Sequence, residues 1–428
     1  MDTSYIISGV QIWNHDQIND HCHVLISNGI VEKISKSPID VKYKQIEASG
    51  LVLIPAGVDP QVHLRVPGQE AKETAQSGLH AAIKGGYGAV LNMPNTKPVI
   101  DNTDVCRQAM TEITPAEDAT GVKVLLSAAI TKNQMGREPS NYRELHDWGI
   151  TAFTDDGVGV TSDDIMRKVF AASSDLGCPV LQHAETLRHG GVLAPGPIQQ
   201  KLNLAPYPSS AETDMVARDL KLLQEFPAAR YHILHVSSRD TIKLVEEAKK
   251  KGLKATCEVS PHHLWFSAED IDEAKTSFKM NPPLRSKEDR GALREALADG
   301  RIDFVATDHA PHEEALKTTK FNTAAYGTIG LETALPVLLS LCQEGVLTRE
   351  RLVETYSTAP ARFLSLDESY GHIKEGCTFR AVLVNPDEKH VVNDEYFAGQ
   401  SRNSCFTGSE LHGKIHYLFL GQHCHNFS

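Results

Sequence analysis

The sequence predicts an α/β protein: a (β/α)8 barrel of the TIM type, with a small β-sandwich domain assembled from both ends of the chain. Eight short apolar segments alternate with helical segments through the middle of the sequence, the pattern of a parallel barrel. Several of those segments stop abruptly in His or Asp, as the stretch DFVATDHAPH does around Asp308. Strand-rich stretches occur at both chain ends and flank this middle. A doubly wound open sheet is the structural alternative, but it gives no reason for eight segments.

Taken in order, residues 1–54 read as short strands and turns: SYIISGVQIW, HVLISNGIVEKIS with its Asn28-Gly29 turn, KQIEA and LVLIP. Barrel strands are expected at 57–63, 88–93, 122–127, 150–154, 179–183, 231–235, 255–259 and 302–307. The helix at 161–176 shows the logic of the intervening segments. Ser162 caps it, Asp163 and Asp164 suit its positive end, and Ile165, Met166, Val169 and Phe170 form one apolar face. FRAVLVNP and KIHYLFLG return to strand patterning. The division expected is 1–54 for the first part of the sandwich domain, 55–365 for the barrel and 366–428 for the second part.

Composition narrows the function. The 428 residues carry a net charge of -12, with 41% hydrophobic and 23% charged residues. An acidic chain without basic runs is a poor partner for nucleic acid. The opening MDTSYIISGV has no basic start and no long apolar run, and no stretch is long enough to cross a bilayer, so a cytoplasmic protein is expected. The eight cysteines are scattered from Cys22 to Cys424 without a CxxC pair, which fits reduced thiols.

Barrel enzymes place their chemistry at the C-terminal ends of the strands. Strand one ends in Gln61, His63 and Arg65, which alternate and share a face. Strand two runs into Asn95, strand four ends in Asp155-Asp156-Gly157, strand five in His183, strand six in His235, strand seven in His262-His263 and strand eight in Asp308. Singly, each suits a hydrogen-bonded strand end. Together, so many polar groups at one end of a barrel read as a metal site. Imidazoles and carboxylates without thiolates favour Zn, with Mn, Fe or Co as alternatives. Such a metal would lower the pKa of water, and one Asp could shuttle the proton. The chemistry implied is hydrolysis or formation of a C–N or C–O bond at a carbonyl. His232 faces the other way from His235, and the His-rich stretches HDQINDHCH and HGKIHYLFLGQHCHNFS are better read as strand ends and a solvated tail.

The motifs PAGVDPQVHLRVPGQEAKET, NMPNTKPVID, FTDDGVGV, HAE, HILHVS, SPHHL, KMNPPLR and ATDHAPH, in this order, resemble a class I dihydroorotase of the amidohydrolase superfamily. The resemblance covers nearly the whole chain. It implies reversible cyclisation of N-carbamoyl-L-aspartate to L-dihydroorotate in pyrimidine synthesis. It further implies that His63, Asp156, His183, His235 and Asp308 are metal ligands, with Asp156 bridging where other amidohydrolases use a carboxylated lysine. Asp308 would also be the catalytic acid/base. Arg65, Asn95 and His312 would bind the substrate carboxylate, with Asn281 and the backbone near Ala325 and Gly327 around the ring. The segment 311–326 would close over the site. A homodimer, and association with aspartate transcarbamoylase, fit the same resemblance.

The chain departs from the family pattern at two positions. Gln61 stands where the first histidine of a His-x-His pair is usual, and Val66 stands where Glu is usual. Gln61 is a weaker zinc ligand than imidazole, so one tightly held zinc and a second weak or empty site are expected. The alternative is a catalytically silent, dihydroorotase-like subunit that scaffolds aspartate transcarbamoylase. Another cyclic-amide hydrolase is a third reading, disfavoured by Arg65, Asn95 and His312, which suit an anionic substrate.

Overall fold

In the computed structural model, residues 4–186, 191–271 and 275–427 are described. Five strands precede the barrel: β1 (Tyr5–Trp13), β2 (Ile18–Ser27), β3 (Ile30–Ser35), β4 (Lys44–Glu47) and β5 (Val52–Pro55). The barrel strands are β6 (Gly57–Val62), β7 (Tyr87–Asn92), β8 (Lys123–Ala128), β9 (Ala152–Thr154), β10 (Pro179–Gln182), β11 (Arg230–Ile233), β12 (Ala255–Val259) and β13 (Phe304–Val305). β14 (Arg380–Val391), β15 (Glu410–Leu420) and β16 (His423–Asn426) follow.

β6 to β13 pair with their chain neighbours, all in parallel. The ring closes between its first and last members through a parallel bridge from Val62 to His309 and a His63 N–H to His309 carbonyl bond of 3.0 Å. Such strands are covered on both faces, which is why β6, β7 and β10 are buried throughout and lack a polar-apolar alternation. Helices follow the strands as expected. The one at Asp163–Leu176 is capped by Ser162, buries Ile165, Met166, Val169 and Phe170, and ends at Gly177 in left-handed backbone.

The last strand is shorter than expected, two residues rather than six. Asp59 of β6 is the reason. Its carboxylate accepts the backbone N–H of Thr307 at 3.1 Å and the Thr307 hydroxyl at 2.5 Å, so a side chain takes over where the ladder would continue. Burial brings the Asp59 pKa up to about 7, against the pull of those hydrogen bonds.

Both ends of the chain contribute to one mixed sheet, ordered β16-β15-β14-β5-β1-β2-β3 with β4 on β1. In the sheet the two ends meet where β5 pairs antiparallel with β14, from Val52–Val384 to Pro55–Ala381. Ile7, Val24, Leu53, Leu383 and Phe419 belong to an apolar core separate from that of the barrel, as a sandwich domain requires. All eight cysteines are free. The tail histidines are strand residues: His423 and His425 donate from Nε2 to the carbonyls of Asp118 and Thr120 at the end of the helix Thr103–Thr120.

Candidate active site

At the C-terminal ends of the barrel strands His63, Arg65, Asn95, Asp156, His183 and His235 line one cavity of about 190 Å3. Asn281, Asp308, His312 and Gly327 line it too. The fold brings together residues far apart in sequence because each follows a strand of the same parallel ring.

Asp156 lies at the centre. Its Oδ1 is 3.7 Å from His183 Nδ1 and 3.7 Å from His235 Nε2, while its Oδ2 is 3.3 Å from His63 Nε2. His183 Nδ1 and His235 Nε2 face each other at 3.0 Å. His63 donates from Nδ1 to Asn95 Oδ1 at 2.8 Å, which turns its Nε2 toward the carboxylates, with Asp308 Oδ1 at 3.2 Å. The neighbouring Asp155 faces away and accepts from the N–H and hydroxyl of Thr131. Burial raises its pKa to about 6.

Three cavity residues have left-handed backbone: Arg65 at φ 63°, His235 at φ 31° and Asp308 at φ 48°. Non-glycine residues seldom adopt it, and a fold holds them there only when surrounding contacts over-determine the geometry.

The comparisons with known proteins agree with this geometry. Residues 52–420 match the amidohydrolase family model. A dihydroorotase of Halalkalibacterium halodurans is 40% identical over 394 residues, 91% of this chain and 90% of the relative. One of Bacillus subtilis is 36% identical over 413 residues, 96% and 95% of the two chains. The chain belongs to the dihydroorotases of the amidohydrolase family. The fold is also that of an L-hydantoinase (dihydropyrimidinase) from Arthrobacter aurescens, with a TM-score of 0.87 at 25% identity over 98% of this chain and 95% of that one.

An amidohydrolase implies a metal cofactor, and the donors fit one. In a tetrahedral zinc site with bonds near 2 Å, ligand atoms stand roughly 3.3 Å apart. The separations of 3.0, 3.7 and 3.7 Å among His183, His235 and Asp156 bracket that value. These three form the buried set whose donor atoms all lie within 4.8 Å of one another, and among the described residues His63 and Asp308 fall outside it. Burial alone would raise the Asp156 pKa, but the hydrogen bond with His235 and the charges of His63 and His183 hold it well below the usual range. The same carboxylates, Asp156 and Asp308, push His235 up to about 9 against its burial. The end of the cavity formed by Asp156, His183 and His235 therefore favours positive charge.

Gln61 is fully buried and donates from Nε2 to Asp156 Oδ1 at 3.2 Å, while its Oε1 has no partner. Arg65 gives Nε to the Pro311 carbonyl at 3.3 Å, and burial brings its pKa down to about 10 despite Asp308 and Asp156, so it stays charged. His312 donates from Nε2 to the Tyr326 carbonyl at 2.7 Å. Burial, with Arg65 and Lys72, lowers its pKa to about 3, which leaves Nδ1 a bare acceptor.

Ala325 is not among the residues lining the amidohydrolase cavity. Its N–H bonds the Leu316 carbonyl, and its carbonyl accepts from Lys317 Nζ at 2.8 Å. Gly327 does line the cavity, but its N–H and carbonyl bond Lys279 and Lys317. Lys317 thereby pins the segment 311–326. His262 and His263 lie in a short helix after β12, Pro261–Trp265, outside the cavity lining, and His263 Nε2 donates to the Pro282 carbonyl at 3.1 Å. His232 pairs with Glu258 at 3.0 Å and stacks on Phe304, away from the donors.

Sequence reading missed Glu185. Its Oε2 accepts from Asn281 Nδ2 at 2.8 Å and lies 3.2 Å from His183 Nε2, so it fixes the ring whose other nitrogen faces His235. Its place two residues after His183, in HAE, was the available signal.

Proposed function

We propose that the chain catalyses the reversible cyclisation of N-carbamoyl-L-aspartate to L-dihydroorotate in pyrimidine (UMP) biosynthesis, with zinc as its metal. One observation carries the substrate class: a buried, charged Arg65 opens into the same cavity as the Asp156–His183–His235 donor set and Asp308. A neutral cyclic amide has no use for a guanidinium there, whereas a carboxylated ring matches its planar fork.

Asp156, His183 and His235 would hold the tighter zinc, with His63, Asp308 and Gln61 around a second, weaker position. Bound there, zinc would lower the pKa of water and polarise a carbonyl. Arg65 would anchor the substrate carboxylate, helped by the Asn95 amide. His312 would join them by taking up a proton at Nδ1, which a bound anion favours. Asn281 and the backbone at Gly327 would border the ring, with Ala325 behind them outside the cavity lining. The Gly327 backbone groups are committed within the protein, so they would shape the cavity, whereas Asn281 keeps an unpartnered Oδ1 for the ligand.

Asp308 would carry the proton. In ring opening, water adds to the ring carbonyl, Asp308 accepts a proton from it, and the C–N bond breaks as Asp308 returns a proton to the leaving nitrogen. Ring closure is the reverse, with loss of water. Its place beside His63 and its strained backbone support this role.

The test is turnover of dihydroorotate and carbamoyl aspartate by purified protein, paired with metal analysis and with hydantoin as the neutral control. Turnover of hydantoin but not dihydroorotate would overturn the reading. The silent-scaffold alternative has no support, since the relatives reported above are named dihydroorotases and the donors other than Gln61 converge. The proposal includes a division at 54/55 and 365/366, a cytoplasmic homodimer and association with aspartate transcarbamoylase, to be tested by limited proteolysis and light scattering with and without that enzyme. Among the described residues no helix is long and apolar enough to cross a membrane.

A further inference from the structure

We propose a further zinc site, independent of the barrel, in the sheet domain, formed by His15, Asp16 and His372. The turn between β1 and β2 is closed by an Asn14 N–H to Gln17 carbonyl bond of 3.0 Å, which puts His15 and Asp16 at its tip. Two reciprocal bonds fasten that tip to the other arm of the domain. Asn14 Nδ2 donates to the Ile373 carbonyl at 3.1 Å, and the Ile373 N–H donates to Asn14 Oδ1 at 3.0 Å. His372, next along the chain, is thereby held beside His15, with ring centroids 4.9 Å apart at 67°.

One donor atom from each of the three residues lies within 4.8 Å of the other two, and His15 Nδ1 is 4.0 Å from Asp16 Oδ1. Zinc needs such atoms roughly 3.3 Å apart. The Asp16 side chain is 66% exposed and free to rotate toward His15, and the turn tip would close the remainder on binding. Edge-on packing would account for the ring contact alone. It does not account for His15 Nδ1, which is shielded from solvent and has no hydrogen-bond partner. A dehydrated, unpaired nitrogen is unfavourable, and a cation removes that cost.

Two imidazoles and a carboxylate, without a thiolate, form a donor set for zinc, with water in the fourth position. The site shares no residue with the barrel cavity. The sequence hid it because HDQINDHCH suggests His15 with His21 and His23, whereas the partner is His372. Its ligands come from both arms of the domain, so binding should favour the assembled sheet.

The test starts from protein whose barrel site is already filled and titrates in further zinc, comparing wild type with His15→Gln, His372→Gln and Asp16→Asn. Both histidine variants should bind one equivalent fewer than wild type, keep their turnover and lose the melting-temperature rise that this added zinc gives wild type. Asp16→Asn should weaken the same equivalent. Tail histidines are common to every variant and cancel. Equal stoichiometry and equal melting shifts in wild type and both histidine variants would overturn the proposal. So would loss of the equivalent in only one of them, since the site needs both rings. If either histidine variant is misfolded by circular dichroism, Asp16→Asn decides: unchanged affinity counts against the site.

Discussion

Gln61 Nε2 is 3.2 Å from the same Asp156 oxygen, Oδ1, that faces His183 and His235. A histidine in its place would offer the metal a lone pair. The glutamine instead spends a donor on the carboxylate and leaves Oε1 unpartnered. If Gln61 borders a second metal position with His63 and Asp308, as proposed above, that position would lack one strong ligand.

Metal content follows from this. Protein carrying His15→Gln, which lacks the sheet-domain site, should hold one zinc per chain in the barrel, with a second barrel site that dialysis strips. Gln61→His should raise the count toward two and preserve turnover. Two fully occupied metals in protein whose only change is His15→Gln, by elemental analysis, would contradict the weak-site reading.

Asp308→Asn removes the proposed proton carrier with little change in shape. Turnover should fall by roughly 10²- to 10⁴-fold in both directions, with the circular dichroism spectrum unchanged. A folded variant with near-normal kcat would take Asp308 out of the mechanism.

Arg65→Met should raise KM for dihydroorotate by roughly 10- to 100-fold, the loss of a charge-assisted bond, and leave the zinc content alone. An unchanged KM would mean that the carboxylate is bound elsewhere.

Acid stability rests partly on imidazoles kept neutral. Burial, with the charge of His235, lowers the His263 pKa from 6.5 to about 3. Below pH 6.5 the unfolded chain binds a proton that the folded one refuses, so stability falls with pH down to about 3. Metal-free His263→Gln should lose up to roughly 1.4 kcal/mol less per pH unit across that window. Parallel curves for variant and wild type, from chemical unfolding at several pH values, would show that His263 titrates normally.

Much of this architecture was legible in the chain because parallel strands buried on both faces leave largely apolar runs, and most of these runs stop at a polar residue. His63, Asp156, His183, His235 and Asp308 were readable as strand ends for that reason. Three things were not. The brevity of β13 depends on Asp59, whose partner Thr307 lies across the closure of the ring. The orientation of Gln61 depends on which end of its amide finds Asp156. His15 and His372 meet only after the sheet domain assembles. Contacts between distant segments leave no local pattern in a sequence.

The junction of β5 with β14 also has a consequence for synthesis. β5 emerges from the ribosome before the barrel, and β14 only after it. Until then the β5 edge is an unpaired template, and the nascent chain must keep it from strangers while the barrel folds. A chain released early, short of β14, would retain its barrel strands yet expose that edge, and such chains should aggregate rather than accumulate as soluble fragments.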